Sequence, residues 1–193
     1  MKITKLFFIA ICATLLSGCV AASFYPCYTD ASIIQLPEIA GSWERVNPEG
    51  ADGKVIRPWI FTKDKVTAYD EDGKTTDLSV IYFKADDQTF CDVSSLEDVP
   101  LALNVHLLCK VDMNDGKLKM TLLDVEWARD KIDKKEIKLS YLSRTGGWLK
   151  VEEILFTSPP PEWENFLRQF KKDEQAFPSK YAYLFEKRMG ISN

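Results

Sequence analysis

Residues 101–122, LALNVHLLCKVDMNDGKLKMTL, decide the fold class. Leu101, Leu103, Val105, Leu107, Cys109, Val111 and Met113 are apolar at successive odd positions, and Ala102, Asn104, His106, Leu108, Lys110 and Asp112 between them are mostly polar. Successive side chains of a strand point to opposite faces, so this pattern reads as one long strand with a buried face. Asp115-Gly116 is a two-residue hairpin signal, and Leu118, Met120 and Leu122 resume the alternation on the way back. The phase then slips, because Leu123, Val125 and Trp127 are also apolar. A β-bulge near 122–123 would absorb the extra residue.

The same period extends outward in both directions. Trp59 and Phe61 alternate with Ile60 and Thr62, Val66 and Ala68 with Thr67 and Tyr69, and Leu78, Val80 and Tyr82 share a face. Ile137, Leu139 and Tyr141 form a further run, Gly146-Gly147 a turn, and Leu149 and Val151 another strand, with a second slip before Ile154 and Phe156. Tyr181, Tyr183 and Phe185 make the last strand. About eight short strands separated by turn residues imply a mainly β fold, an antiparallel barrel or sandwich. One helix interrupts the run. Trp163, Phe166, Leu167 and Phe170 fall on one helical stripe, Ser158 suits the N-cap and Pro159 the first helical position. Glu162 and Glu164 near its start and Arg168, Lys171 and Lys172 near its end suit the helix dipole. The helix is expected against the outside or an end of the sheet.

At the other terminus, Lys2 and Lys5 precede an apolar stretch, Leu6 to Leu16, that is too short to span a bilayer. It ends in Leu16-Ser17-Gly18-Cys19, which resembles the lipobox of bacterial lipoproteins. The resemblance implies diacylglycerol on Cys19, cleavage before it, and N-acylation in many bacteria. Two acyl signals turn marginal membrane affinity into stable anchoring. The expected organisation is a signal peptide over 1–18, a lipidated tether over 19–37 that becomes a docked segment, and a single domain over 38–193. Residue 20 is Val rather than Asp, which by the same resemblance points to the outer membrane, facing the periplasm, in a Gram-negative organism.

Removing 1–18, which holds two lysines and no acids, leaves 175 of 193 residues and moves the net charge from −4 to −6. That length holds one domain with a sizeable core. Apolar residues at 46% and aromatics at 12% argue against disorder, and the acidic balance argues against nucleic acid. Of five cysteines, Cys12 leaves with the leader and Cys19 is acylated. Cys27, Cys91 and Cys109 then enter an oxidising compartment. Cys91 and Cys109 lie symmetrically about Pro100 and would face each other on antiparallel neighbours. Cys27 with either of them is the rival pairing.

Catalytic signals are sparse. His106 is the only histidine, so a zinc site with two histidines is excluded, and a histidine-based hydrolase would have to use it. On the polar face of the long strand it reads as solvated. Asp70-Glu71-Asp72-Gly73 lacks the further oxygen ligands of a calcium loop and reads as a turn, as do Asp86-Asp87 and 112–115. Glu152 and Glu153 are neighbours on a strand and point to opposite faces. No catalytic residue, metal or cofactor is expected. The aromatics Trp43, Trp59, Tyr82, Trp127, Tyr141 and Trp148 read first as core, and second as the lining of a cavity. A closed barrel of about eight strands can hold one small ligand.

Gly41-Ser42-Trp43 follows a short docked segment, Leu36 to Ala40, and is similar to the Gly-x-Trp signature that opens lipocalin-type barrels. In that family a basic residue after the final strand covers the tryptophan, and Arg188 stands where it could. The resemblance implies a lipocalin-like barrel with a helix before its last strand. The expected function is a non-enzymatic, membrane-anchored module that binds a small apolar or lipid-like ligand. The alternative is a protein-binding envelope lipoprotein, either an assembly factor or an inhibitor of a hydrolase that attacks the envelope; its anionic surface would suit a cationic partner.

Overall fold

A computed structural model describes residues 21–46, 58–69, 73–96, 104–146 and 151–188, with backbone alone at 144–146 and 151–153. Its strands are β1 (Ala22–Ser23), β2 (Gly41–Val46), β3 (Trp59–Phe61), β4 (Lys65–Tyr69), β5 (Thr75–Ala85), β6 (Gln88–Ser95), β7 (His106–Asn114), β8 (Lys117–Leu122), β9 (Tyr141–Gly146), β10 (Val151–Phe156) and β11 (Ala182–Lys187). Two α-helices, α1 (Val125–Asp133) and α2 (Pro160–Phe170), lie between β8 and β11.

Eight strands close on themselves. β2 to β8 pair in sequence order, β8 pairs with β11, and β11 returns to β2, every pair antiparallel. This is the expected eight-stranded antiparallel barrel, with α2 ahead of its last strand. Asp115 (φ 47°) and Gly116 (φ 74°) form the β7–β8 turn, both left-handed as a type I′ hairpin requires. Three strands lie outside the ring. β1 pairs with the first residues of β7, β10 runs parallel to β1, and β9 forms a hairpin with β10.

The secondary structure departs from expectation in several places, beginning with the long strand, where Asn104 and Val105 lie ahead of β7. The phase slip at 122–123 is no bulge: β8 ends at Leu122, and Asp124 caps α1, its Oδ1 accepting from the backbone N–H of Glu126 (2.9 Å) and Trp127 (3.1 Å). Val125 and Trp127 are therefore helical. Asp124→Ala should cost about 1 kcal/mol of stability, read by urea denaturation, because it strips two donors of their acceptor. Ile137 and Leu139 precede β9 instead of lying on it, and are buried there. β10 pairs with β9 without a break from Val151 to Phe156, so no second slip exists. Finally, Pro159 rather than Ser158 caps α2, because the Ser158 hydroxyl accepts from the Ser140 N–H (2.7 Å).

Two cores result, one on each side of the β5–β6–β7 sheet. Inside the ring lie Trp43, Phe61, Val66, Val80, Tyr82, Cys91, Cys109, Val111, Leu118 and Phe185. Outside it, Phe83, Phe90 and Leu108 meet Trp163, Phe166 and Leu167 of α2, together with Val125 and Ala128 of α1. The helix stripe packs on the outside of the sheet as expected. The Lys171 ammonium donates to Asp86 (2.8 Å) and Asp87 (2.5 Å) in the β5–β6 turn and holds both carboxyls below their usual range, Asp87 at about 2. Among the described residues the N-terminal segment is docked from the first, Ala21: Ala21, Ser23 and Cys27 are buried, and the Ile34 N–H donates to Tyr82 O (2.9 Å).

Candidate functional site

Strand direction sorts the barrel interior into two ends. β3, β5, β7 and β11 all run the same way, so their first residues gather at one end, here called the rim. The start of β2 lies at the other. There Ile39, on the short 3₁₀ turn Pro37–Ile39, packs beneath the ring, and the Trp43 indole N–H donates to Ile39 O (2.7 Å). Gly41 is left-handed (φ 136°), and a Cβ on it would meet Lys187 Cε at 3.3 Å. The Lys187 ammonium sits 5.4 Å from the Trp43 ring centre and donates to Glu38 O (2.8 Å). The covering cation is therefore Lys187. Arg188 instead pairs with Glu44 (3.4 Å), because inward and outward positions alternate along β11 and its extension. Above Trp43, Phe61 and Phe185 fill the interior, with Phe61–Phe185 centroids 5.6 Å apart and Trp59–Phe185 5.2 Å.

The rim is different. Trp59, Leu78, Leu107, Tyr181 and Tyr183 pack on the interior cluster yet remain half-buried. All stand at or near the first residues of β3, β5, β7 and β11. The Arg45 guanidinium lies over the Tyr183 ring at 4.8 Å. One level below Leu107, Tyr82, Cys91, Cys109 and Leu122 form a single cross-strand row. The Tyr82 hydroxyl is buried with no hydrogen-bond partner among the described residues, as are the indole N–H groups of Trp127 and Trp163. Burial, then the nearby thiols of Cys91 and Cys109, push the Tyr82 phenol upward, so it is a neutral donor.

The interior face does not stop at the ring. Val80, Val93, Leu107, Ala22, Leu155 and Leu142 are consecutive register partners across β5, β6, β7, β1, β10 and β9, and so share one face. Burial falls along that row, from Val80 inside the barrel to Leu142, which is 64% exposed. The interior face thus continues sideways from the rim as an apolar apron.

Of the aromatics singled out in the sequence, Trp43, Trp59 and Tyr82 come together in the barrel. Trp127 packs on Phe166 and Phe170 (6.1 and 5.2 Å), and Tyr141 on Phe156 (6.3 Å), both in the outer core. Trp148 and Cys19 lie outside the described residues. Cys91 and Cys109 are direct register partners, both reduced and buried. Burial and then the neighbouring Cys109 raise the Cys91 thiol well above its ordinary value. Cys27 is buried in the outer core, on the opposite side of the β6–β7 sheet from that pair.

A polar cluster on that outer side was not legible in the sequence. The Asp92 carboxylate, 2% exposed, accepts from the Cys27 N–H (2.8 Å) and meets His106 Nδ1 (2.7 Å). His106 is accordingly half-buried and not fully solvated: at this end of β7 the even face, with Leu108, turns to the outer core, while Asp112 and Asn114 farther along are exposed. The cluster offers no activated nucleophile. Burial and then Asp92 push the Cys27 thiol up, and the Ser23 hydroxyl donates to Tyr25 O (2.6 Å). Its role is to tie the N-terminal segment to the barrel. Leu108 at an even position was the one sequence signal that this face is covered.

Comparison with family profiles, with curated proteins and with solved structures finds no match to this chain.

Proposed function

We propose that the chain is a lipoprotein, acylated at Cys19 and anchored to a membrane, whose barrel binds a small apolar or lipid-like ligand at its rim without catalysing a reaction. The single observation that carries the reading is the Tyr82 hydroxyl, buried and unpartnered below a ring of half-buried apolar side chains. Leaving a buried hydroxyl unpaired costs about 1–3 kcal/mol, and a ligand polar atom seated beneath Trp59, Leu78 and Leu107 would recover it. The lipobox supplies the anchor, and an acidic chain with one histidine, itself committed to Asp92, offers little for catalysis.

The test is direct. The protein is unfolded and refolded to strip bound lipid, then titrated with a fluorescent fatty acid, while protein extracted from membranes is examined for co-purifying lipid by mass spectrometry. One saturable site is expected, weakened roughly three- to ten-fold by Tyr82→Phe, the worth of one neutral hydrogen bond. Absence of both co-purifying lipid and probe binding would sink the reading.

A further inference from the structure

We infer that the rim end of the barrel rests on the bilayer surface, with Phe24, Tyr25, Leu142 and Leu155 as its contacts. The inference depends on acylation of Cys19 proposed above, and adds an orientation to it. Phe24 and Tyr25 are 41% and 44% exposed and pack edge to face at 4.9 Å. They directly follow β1, whose Ala22 and Ser23 pair with Leu107 and His106 at the rim. The Phe24 N–H donates to Phe156 O (2.8 Å), so Phe24 extends the ladder and lies on the face of Ala22, Leu155 and Leu142. Two adjoining strands therefore hold the half-buried Leu155 and the exposed Leu142 on one side, beside an exposed aromatic pair.

Chain length selects the occupant. Cys19 precedes Ala21 by two residues, which span at most about 7 Å. Acyl chains attached at Cys19 and inserted in a leaflet therefore hold Ala21, and with it β1, within reach of the headgroups. Amphipathic aromatic rings favour that interface, and apolar side chains gain by leaving water for it. Opposite this end, Lys117 at the start of β8 and Glu186 pair in solvent (3.3 Å), a surface suited to face away from lipid. A bilayer under the rim would deliver an apolar ligand to the apron without a passage through water.

The test uses the full acylated protein in phosphatidylcholine vesicles, with a nitroxide on Leu142→Cys or, as control, on Lys117→Cys; the native thiols at Cys27, Cys91 and Cys109 are buried. The ratio of collisions with oxygen to collisions with a water-soluble nickel chelate reports lipid contact. It should be several-fold higher at 142 than at 117. Adding Phe24→Ser and Tyr25→Ser should lower the value at 142 while the protein stays on the vesicles. Equal ratios at the two sites on vesicle-bound protein would overturn the orientation and leave the anchor standing. Failure to float with vesicles, with an unacylated N-terminal peptide by mass spectrometry, would instead remove the anchor on which it rests. A label at 142 that is immobilised only when an envelope protein is added would assign the apron to a protein partner, and overturn the inference.

Discussion

Phe185→Ala is expected to destabilise the protein by about 3–5 kcal/mol, the range for deleting a large side chain from a packed core. Phe185 is fully buried, and its ring contacts Trp59 and Phe61. It also sits on the strand that closes the barrel, since Phe185 is paired with Arg45 of β2 on one side and with Leu118 of β8 on the other. The neighbours are held by their own strands and cannot collapse onto the space left behind. For a domain of this size the midpoint of thermal unfolding should fall by roughly 10 °C. Leu184→Ala is the control: the adjacent side chain is 40% exposed and should cost less than about 1 kcal/mol. If guanidinium denaturation gives the two variants the same stability, Phe185 is not part of a packed interior and the barrel core is misassigned.

Protein exported to an oxidising compartment and purified without reductant is expected to carry a Cys91–Cys109 disulfide, with Cys27 free. The two cysteines are register partners on adjacent antiparallel strands, where Cα atoms stand about 4.5–5.5 Å apart, within the span that a disulfide bridges. Formation joins two thiols and passes two electrons and two protons to a disulfide donor, which leaves as two thiols. It must precede closure of the barrel: both thiols are buried in the finished fold, and burial raises Cys91 away from the reactive thiolate. Reduced, folded protein should therefore resist oxidised glutathione until denatured. Closing a loop of this length should add about 3 kcal/mol of stability. Intact mass two units lower, with a single peptide linking positions 91 and 109, is the expected readout. A bond that includes Cys27 would show that the N-terminal segment can leave its place beside Asp92.

Much of the barrel was legible because the information is local. Period-two apolarity identifies strand and inward face over 106–122, though Asn104 and Val105 precede the strand and 101–103 lie outside the described residues, and Asp115-Gly116 specifies its turn by backbone sterics alone. The stripe Trp163, Phe166, Leu167 and Phe170 identifies α2 in the same way. Helix α1 was missed for a local reason too. Apolar Leu123, Val125 and Trp127 continue a strand period, while the Asp124 cap and Glu126 in the first turn favour a helix, and in the folded chain capping outweighs periodicity. The candidate site was legible only in part. Trp43, Trp59 and Tyr82 meet in the barrel, but Trp127 and Tyr141 carry the same aromatic signal and pack on the other side of the sheet.

The sequence by itself determined which residues alternate, where the hairpins turn, that the barrel begins at Gly41-Ser42-Trp43, and that one helix face is apolar. Each of these depends on neighbours a few positions apart. The tertiary structure alone decided that β11 closes the ring between β8 and β2, that β1, β9 and β10 extend the interior face into an apron, and that Lys187 and not Arg188 lies over Trp43. It also decided that the even face of β7 is covered by a second core at Leu108, so that the half-buried His106 pairs with Asp92. A strand's alternation states that it has two faces. What covers each face is set by segments far away in the chain, brought there by burial of apolar surface and by the pairing of every strand edge, and no window of sequence contains that partner.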